Sequence, residues 1–345
     1  MPVFTAHLKD EPTKFSKIES KKTRVFSGGP ADWCFVVRKY LLTLVRVIQK
    51  NKYIFESAPG TNATSAEWDI LYHYLTAFGK DRVIAGDYSK FDKRMSAQMI
   101  KAAYRVIDRV LVAAGWSEQD RLVVQCIGTD TAFPLTDFNG DLVEFWGSNP
   151  SGQPLTVIIN GLVNSLYVRY VWAAIGNDIK QFKQNVHLMT YGDDNVMGVS
   201  RTIDNFHHTV LQTELKKIGV GYTMADKEAE SVPFMDISQV SFLKREWRFE
   251  PELKQHVAKL EHASIAKMLT KCLPSSTLCR EAHAVIVMST ALMEYFMYGR
   301  DVFDEKRAMF LEVIEKMELQ PYYTTEFKTF DELKVEYLRN SEEFY

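Results

Sequence analysis

The sequence has little cysteine: Cys34, Cys126, Cys272 and Cys279 are all that 345 residues contain, and no two of them form a C-x-x-C pair. Cys279 and His283 stand at one ligand spacing, but no second pair completes a zinc site. Free thiols in a reducing compartment are therefore expected rather than a disulfide framework. Long unbroken apolar runs are missing too. The most apolar stretch, Pro154 to Ile175, is interrupted by Asn160, Asn164 and Arg169, which argues for a buried helix and against a transmembrane segment. No stretch joins basic residues to an apolar run, so no signal peptide is expected. Charge of one sign is not in excess either. With a net charge of −2, a nucleic-acid partner has to be held by local basic patches rather than by an overall field. Internal repeats and low-complexity tracts are absent, which excludes solenoid and fibrous classes.

What remains is ordinary globular material, 46% hydrophobic and 25% charged, in a chain longer than one core usually holds, so two or three packed subdomains are expected. Residues 1 to about 82 begin basic and irregular, then show apolar periodicity over Phe35 to Ile48 and again over Ser65 to Phe78, with a loop at Pro59-Gly60 between them. From Val83 to about Glu250, short strand-like runs (Val83 to Gly86, His187 to Tyr191) alternate with helical ones (Met95 to Ala114, Gln153 to Ile175, Phe206 to Ile218). Beyond Glu261 the character is helical: Ser264 to Leu269, Leu278 to Tyr298 and Asp304 to Met317. This order predicts an α+β centre with a helical appendage.

Three segments carry chemistry. Tyr191-Gly192-Asp193-Asp194 lies between two strand-like runs, so Gly192 fits a tight hairpin with two adjacent carboxylates at its tip, an arrangement that repels itself unless a cation is held there. The plain alternative is a solvated turn. Gly86-Asp87-Tyr88-Ser89-Lys90-Phe91-Asp92 again follows an apolar run. Asp87 at a strand end beside Asp193 would supply the oxygen ligands that two hard cations need to activate a hydroxyl and stabilise a leaving oxygen; alone, Asp87 could equally be an acidic residue preceding a helix. Ser148-Asn149-Pro150-Ser151-Gly152-Gln153-Pro154-Leu155-Thr156 runs into the helix with Asn160 and Asn164. It reads as a loop with freely exposed N–H groups and a polar helix face able to hold a sugar and a phosphate, or as a capped helix start facing solvent.

Taken in order, these residues resemble the motifs of picornavirus-like RNA-dependent RNA polymerases. Lys9-Asp10-Glu11 with Lys17, Lys22 and Arg24 resembles motif F, Asp87 to Asp92 motif A, Ser151-Gly152 to Thr156 and Asn160 motif B, and Tyr191 to Asp194 motif C. Ala225-Asp226-Lys227 resembles motif D and Phe242-Leu243-Lys244-Arg245 motif E. The chain departs from the pattern in two places: Pro12-Thr13-Lys14 follows Glu11 where the family often has Leu-Arg, and Gln153-Pro154-Leu155 replaces a second small pair.

The resemblance implies a right-hand polymerase: an antiparallel palm sheet with packed helices, partial fingers and a helical thumb. Residues 1–82 would be partial fingers with the basic nucleotide-entry motif, 83–250 the palm with a fingers-like insertion at about 115–150, and 251–345 the thumb. It also implies that fingers sequence is missing ahead of this chain, which would then be a fragment or one piece of a larger polyprotein. Asp87, Asp193 and Asp194 would handle two Mg²⁺ ions, with Mn²⁺ able to substitute. Lys9, Lys17, Lys22 and Arg24 would face the triphosphate. Asp92 and Asn160, supported by Ser151, Gly152 and Thr156, would recognise the ribose 2′-hydroxyl. Lys227 would be the general acid for pyrophosphate, and Phe242, Leu243, Lys244 and Arg245 would grip the primer end.

The implied activity is template-directed RNA synthesis for viral genome replication. The implied partners are RNA template, primer or product strand, ribonucleoside triphosphates and other viral replication proteins. The implied place is the host cytoplasm, at replication complexes reached through partners on host membranes. A catalytically impaired fragment that only binds RNA or replication partners is the alternative. Reverse transcription is disfavoured by Asp92 and Asn160, which suit a site that keeps the 2′-hydroxyl.

Overall fold

Short apolar runs become strands and periodic runs become helices in the computed structural model, which describes residues 1–225 and 229–344. The strands are β1 (Val3–Leu8), β2 (Val25–Gly28), β3 (Val83–Tyr88), β4 (Leu135–Phe138), β5 (Asp141–Glu144), β6 (Val186–Tyr191), β7 (Asp194–Val199), β8 (Tyr222–Thr223), β9 (Arg245–Glu250) and β10 (Gln255–Leu260). The longer helices are α1 (Ala31–Lys50), α2 (Glu67–Leu75), α3 (Ala97–Ala113), α4 (Glu118–Ala132), α5 (Thr156–Ala174), α6 (His208–Lys217), α7 (His262–Thr270), α8 (Arg280–Phe296), α9 (Arg300–Lys316) and α10 (Phe330–Ser341). They fall into two units, one made of Met1–Gly60 with Arg82–Met235, the other of Thr61–Asp81 with the chain from Asp236 onward.

The first unit is built on an antiparallel sheet in the order β6-β7-β3-β8. Helix α5 packs on β6 and is flanked by α3 and α6. Residues on every side of α5 are buried, including Ile159, Val163, Tyr167, Val168 and Trp172, as expected of a helix without a polar face. Trp172 has no exposed surface. Its indole packs edge-on against Phe182 and Phe206 and donates to the carbonyl of Asp178 at 2.8 Å. Helices α3 and α4 start at Ser96 and Ser117, whose hydroxyls accept from the N–H groups of Met99 and Asp120, satisfying donors that a helix start leaves open. A second sheet, β2-β1-β4-β5, brings β1 parallel to β4. The opening stretch, expected to be irregular, thus holds two strands. β2 pairs with β1, and the other partner of β1 lies some 130 positions further along, beyond the reach of local pattern.

The second unit has its own apolar core, which includes Val257, Ile265, Leu292, Phe296, Phe303, Phe310, Phe330 and Tyr337. Helix α2 is fastened to the β9–β10 hairpin by Trp68 and Trp247, stacked at 5.0 Å; the Trp247 indole donates to the Trp68 carbonyl at 3.2 Å. Tyr337 donates to the Ser65 carbonyl at 2.8 Å, and the Ala66 N–H donates to Ser341 Oγ at 2.8 Å, tying α10 to the start of α2. Among the described residues no helix is long and apolar enough to cross a membrane.

Replacing Trp172 with Ala would open a cavity in the first core and remove one of the two donors to the Asp178 carbonyl, which keeps the Gln181 N–H at 3.0 Å. A loss of about 3–5 kcal/mol is expected, read as a lowered denaturant midpoint; an unchanged midpoint would contradict the central place assigned to this side chain.

Candidate active site

Asp87 is the fifth residue of β3, whose other members are buried. The strand registers with β7 as Ala85↔Val196 and Gly86↔Asn195, which carries Asp87 and Asp194 to the same end of the sheet on neighbouring strands. On the other side Asp87 pairs with Thr223 of β8. Strands β6 and β7 are joined by a two-residue turn between the paired Tyr191 and Asp194. Gly192 opens that turn with φ +62°, a backbone conformation that side chains disfavour and that hairpins of this length use. Gly86 is needed for another reason: a Cβ there would lie 2.1 Å from the Tyr222 ring. That ring is fixed by its hydroxyl, which donates to Asn195 Oδ1 at 2.7 Å.

The turn is held from behind by α5. Asn164 has no exposed surface, and its amide nitrogen reaches the carbonyls of Gly192, Asp193 and Asp194 at 3.1, 3.0 and 3.3 Å. Its Oδ1 accepts from the Tyr88 hydroxyl at 3.0 Å. One carboxamide thereby joins the helix, the strand carrying Asp87 and the turn carrying Asp193. Burial holds the Tyr88 hydroxyl well above its ordinary pKa, and the charges of its surroundings, Asp193 among them, add to the rise. It therefore stays a neutral donor. Burial, and further the charge of Asp87, raises that of Tyr222 too, against the hydrogen bond to Asn195. The aspartate oxygens do not close into a three-ligand cluster within 4.8 Å, a spacing that, among the described residues, only an Asp–His–His group in the second unit reaches.

The second part of the site is a polar chain buried between motif A and motif B. Asp92 accepts from Asn160 Nδ2 at 2.5 Å. Asn160 Oδ1 accepts from Asn149 at 2.7 Å, and Asn149 Oδ1 accepts from Gln153 at 3.3 Å. Burial raises the Asp92 carboxyl, while the Asn160 bond and the positive charges of Lys9, Arg24 and Lys93 pull it back. Lys9 and Arg24 of the basic segment are therefore electrostatic neighbours of Asp92. The Lys9 N–H also donates to the Arg24 carbonyl at 2.9 Å, and the Arg24 guanidinium lies 3.3 Å from Glu11. A cavity of about 230 Å³ is lined by Asp92, Lys93, Ser27, Asn149 and Ser151, with the Phe138 and Phe145 side chains behind.

The motif B loop differs from its expectation. Its N–H groups are not freely exposed: Asn149 donates to Asp92 O, Gly152 to Ser27 O at 2.8 Å and Thr156 to Gln153 O, while Leu155 donates to the Gln153 side chain at 2.7 Å. Gly152 lies so close to β2 that a Cβ would stand 2.6 Å from Ser27 O. Thr156 Oγ1 donates to the loop carbonyls of Pro150 and Gln153, both at 2.9 Å, so it fastens the loop. Asn160 and Asn164 are buried rather than solvent-facing, at 5% and 0% exposure.

Of the remaining sequence-predicted residues, Lys17 and Lys22 stand exposed in and just after a short helix, Phe15–Glu19. Lys227, with Asp226, lies outside the described residues. Phe242 to Arg245 belong to the second unit and form a two-residue turn: Phe242 and Arg245 exchange N–H···O bonds of 2.9 and 3.0 Å, and Leu243 and Lys244 have φ of 55° and 62°. Phe242 is buried. Lys244 pairs with Glu261 at 2.8 Å and is 68% exposed. The Arg245 fork is engaged by Glu294 through two 2.7 Å bonds and by the Ala258 carbonyl. The roles of Asn164, Tyr88, Asn149 and Gln153 were missed in the sequence, although a pair of asparagines one turn apart in an otherwise apolar helix was a signal.

Residues 1–315 match the family described as viral RNA-dependent RNA polymerase. The chain belongs to that family. It is 32% identical over 321 residues to the replicase polyprotein of Cricket paralysis virus, covering 89% of this chain and 18% of that protein. To the replicase polyprotein of Drosophila C virus it is 30% identical over 331 residues, 92% of this chain and 19% of that one. The chain thus spans under a fifth of these relatives. Among solved structures, a Sicinivirus 3Dpol RNA dependent RNA polymerase superposes with a TM-score of 0.78 at 18% identity, over 98% of this chain and 67% of that one. The α+β right-hand polymerase fold implied by the motifs is borne out.

Within this polymerase fold, Asn164→Ala removes the donor for three turn carbonyls and the acceptor for Tyr88. A stability loss of about 1–3 kcal/mol is expected from urea denaturation. A midpoint equal to that of the unsubstituted protein would show that the turn does not depend on this carboxamide.

Proposed function

We propose that the chain catalyses template-directed RNA synthesis from ribonucleoside triphosphates by two-metal nucleotidyl transfer. The observation that carries this reading is the placement of Asp87 and Asp194 on neighbouring strands at one sheet end, with Asp193 in the adjoining turn. These carboxylates fit Mg²⁺ in kind, being hard oxygen donors, and they share one end of the sheet beside a turn fixed from behind, although their oxygens would have to draw together to close around an ion. Asp87 and Asp193 would hold the ions, with Asp194 in support, and Mn²⁺ could replace Mg²⁺. When bound, the two ions lower the pKa of the attacking 3′-hydroxyl and neutralise charge on the leaving pyrophosphate.

The chain's own side chains do the rest. Asn164 and Tyr88 keep the turn and β3 in one arrangement, so the carboxylates are positioned before substrate arrives. Lys9 and Arg24 bring positive charge near Asp92, where a triphosphate would enter; the exposed Lys17 and Lys22 would add to it. Asp92 and Asn160 already share a hydrogen bond and could redirect it to a ribose 2′-hydroxyl, with Ser151 on the cavity wall and Thr156 and Gly152 fixing the loop. Lys227 would protonate the leaving pyrophosphate. In the motif E turn, Lys244 would meet a primer phosphate, being 68% exposed in its pair with Glu261 where Arg245 is largely covered and held through two bonds by Glu294. Partners would be template and primer or product RNA and, as relatives named replicase polyproteins suggest, other viral replication proteins on membranes of the host cytoplasm.

Asp193→Asn should abolish nucleotide incorporation in a primer-extension assay while leaving RNA affinity within about twofold, because the metal site and not the basic surface loses its charge. Extension near the unsubstituted rate would refute the two-metal assignment. RNA binding without extension by the unsubstituted chain would favour an RNA-binding fragment instead.

Sugar selection gives an independent test. A site that hydrogen-bonds a hydroxyl rejects the analogue lacking it because its own polar groups are left unpaired. Asn160→Ala and Asp92→Ala should each reduce the preference for GTP over dGTP opposite one template base, mainly by slowing GTP incorporation. Full preference in both variants would remove these residues from 2′-hydroxyl recognition.

A further inference from the structure

We propose that Asp69, His73 and His256, in the second unit, form a binding site for a single transition-metal cation of the Zn²⁺ class. Among the described residues their ligand atoms lie within 4.8 Å of one another. Asp69 and His73 stand one turn apart on α2, with Asp69 Oδ2 3.4 Å from His73 Nε2. Asp69 Oδ1 accepts from His256 Nδ1 at 2.7 Å and from the His256 backbone N–H at 2.8 Å. A tetrahedral ion with ligand bonds of about 2.0–2.1 Å has ligand-to-ligand edges of roughly 3.3–3.4 Å. Of the three edges, the one from Asp69 Oδ2 to His73 is already at that length, while His256 Nδ1, now 2.7 Å from the other carboxylate oxygen, would exchange that hydrogen bond for the ion, all three ligand atoms lying within 4.8 Å.

The donor set decides the class of ion. Two imidazoles and one carboxylate suit Zn²⁺ and its neighbours, whereas Mg²⁺ prefers oxygen alone. Coordination requires His256 to bind through Nδ1, with its proton on Nε2, and Asp69 Oδ1 to keep the bond from the backbone N–H. That bond orients the carboxylate as outer-sphere donors do in metal sites. The His256 ring cannot drift, because it lies on Tyr72 at 3.5 Å between centroids and 14° between planes and meets Phe249 edge-on at 5.4 Å. The two elements carrying the ligands are already fixed to each other by the Trp68–Trp247 stack. His73, 68% exposed, leaves the site open to solvent, so water would take the fourth position. The ion would act as a clip between α2 and the β9–β10 hairpin, and its affinity would fall as pH drops and the imidazoles protonate.

The competing account is an Asp–His hydrogen bond that orients an imidazole and binds nothing. The two are separated by calorimetric titration of the full chain with Zn²⁺ in excess Mg²⁺, together with the Co²⁺ absorption spectrum. One equivalent of Zn²⁺ is expected, with a raised melting temperature and a tetrahedral Co²⁺ spectrum free of thiolate charge-transfer bands. His256→Ala and Asp69→Ala should weaken binding by at least about a hundredfold. His73→Ala, at an exposed position whose loss leaves the core untouched, should weaken it about tenfold without changing the melting temperature of the metal-free protein. Equal affinity in His73→Ala and the unsubstituted chain, a thiolate band, or no saturable uptake would each overturn the proposal.

Discussion

The arrangement of this protein's site depends on one buried carboxamide. A two-residue turn bearing adjacent carboxylates is unstable by itself, since two negative charges and three backbone carbonyls crowd one place. Asn164 meets that crowding from inside, with an N–H₂ group shared among the carbonyls of Gly192, Asp193 and Asp194 and an oxygen that accepts from Tyr88. The helix that delivers it has no polar face to spare, which is why the interaction is rigid: moving Asn164 would move Ile159, Val163 and Trp172 with it. Close-packed interiors transmit such shifts rather than absorb them.

A second buried polar chain, Asp92–Asn160–Asn149–Gln153, serves a different end. Each amide in it is both donor and acceptor, with Gln153 accepting in turn from the Leu155 N–H. The turn network fixes geometry; the Asp92 network keeps a polar surface ready at the edge of a cavity. The family assignment rests on neither of them, but on the match over residues 1–315.

Much of this was legible in the sequence because the signals were local. Acidic residues directly after apolar runs gave β3 and the β6–β7 turn, and the interrupted apolar stretch before Ile175 gave α5. The strands at Val3–Leu8 and Val25–Gly28 were not legible, because what makes β1 a strand is Leu135–Phe138 far along the chain. The exposed loop expected around Ser151 failed for a similar reason: β2 supplies the acceptor for Gly152. The pairing of the motif E arginine with Glu294, almost fifty residues on, was likewise out of reach of local pattern. In each case the partner is remote in sequence, and the residue's own neighbours carry no sign of it.

The β3–β7 pairing also sets a timetable for synthesis. Val83–Ala85 is an apolar edge until Val196–Gly198 pairs with it, and those residues leave the ribosome more than a hundred positions later. At about 5–20 residues per second the wait is on the order of 5–20 seconds. Helix α2 waits longer for the hairpin that carries Trp247. For that interval the strand destined to present Asp87 has an unpaired apolar edge, the kind of edge that pairs wrongly unless something covers it.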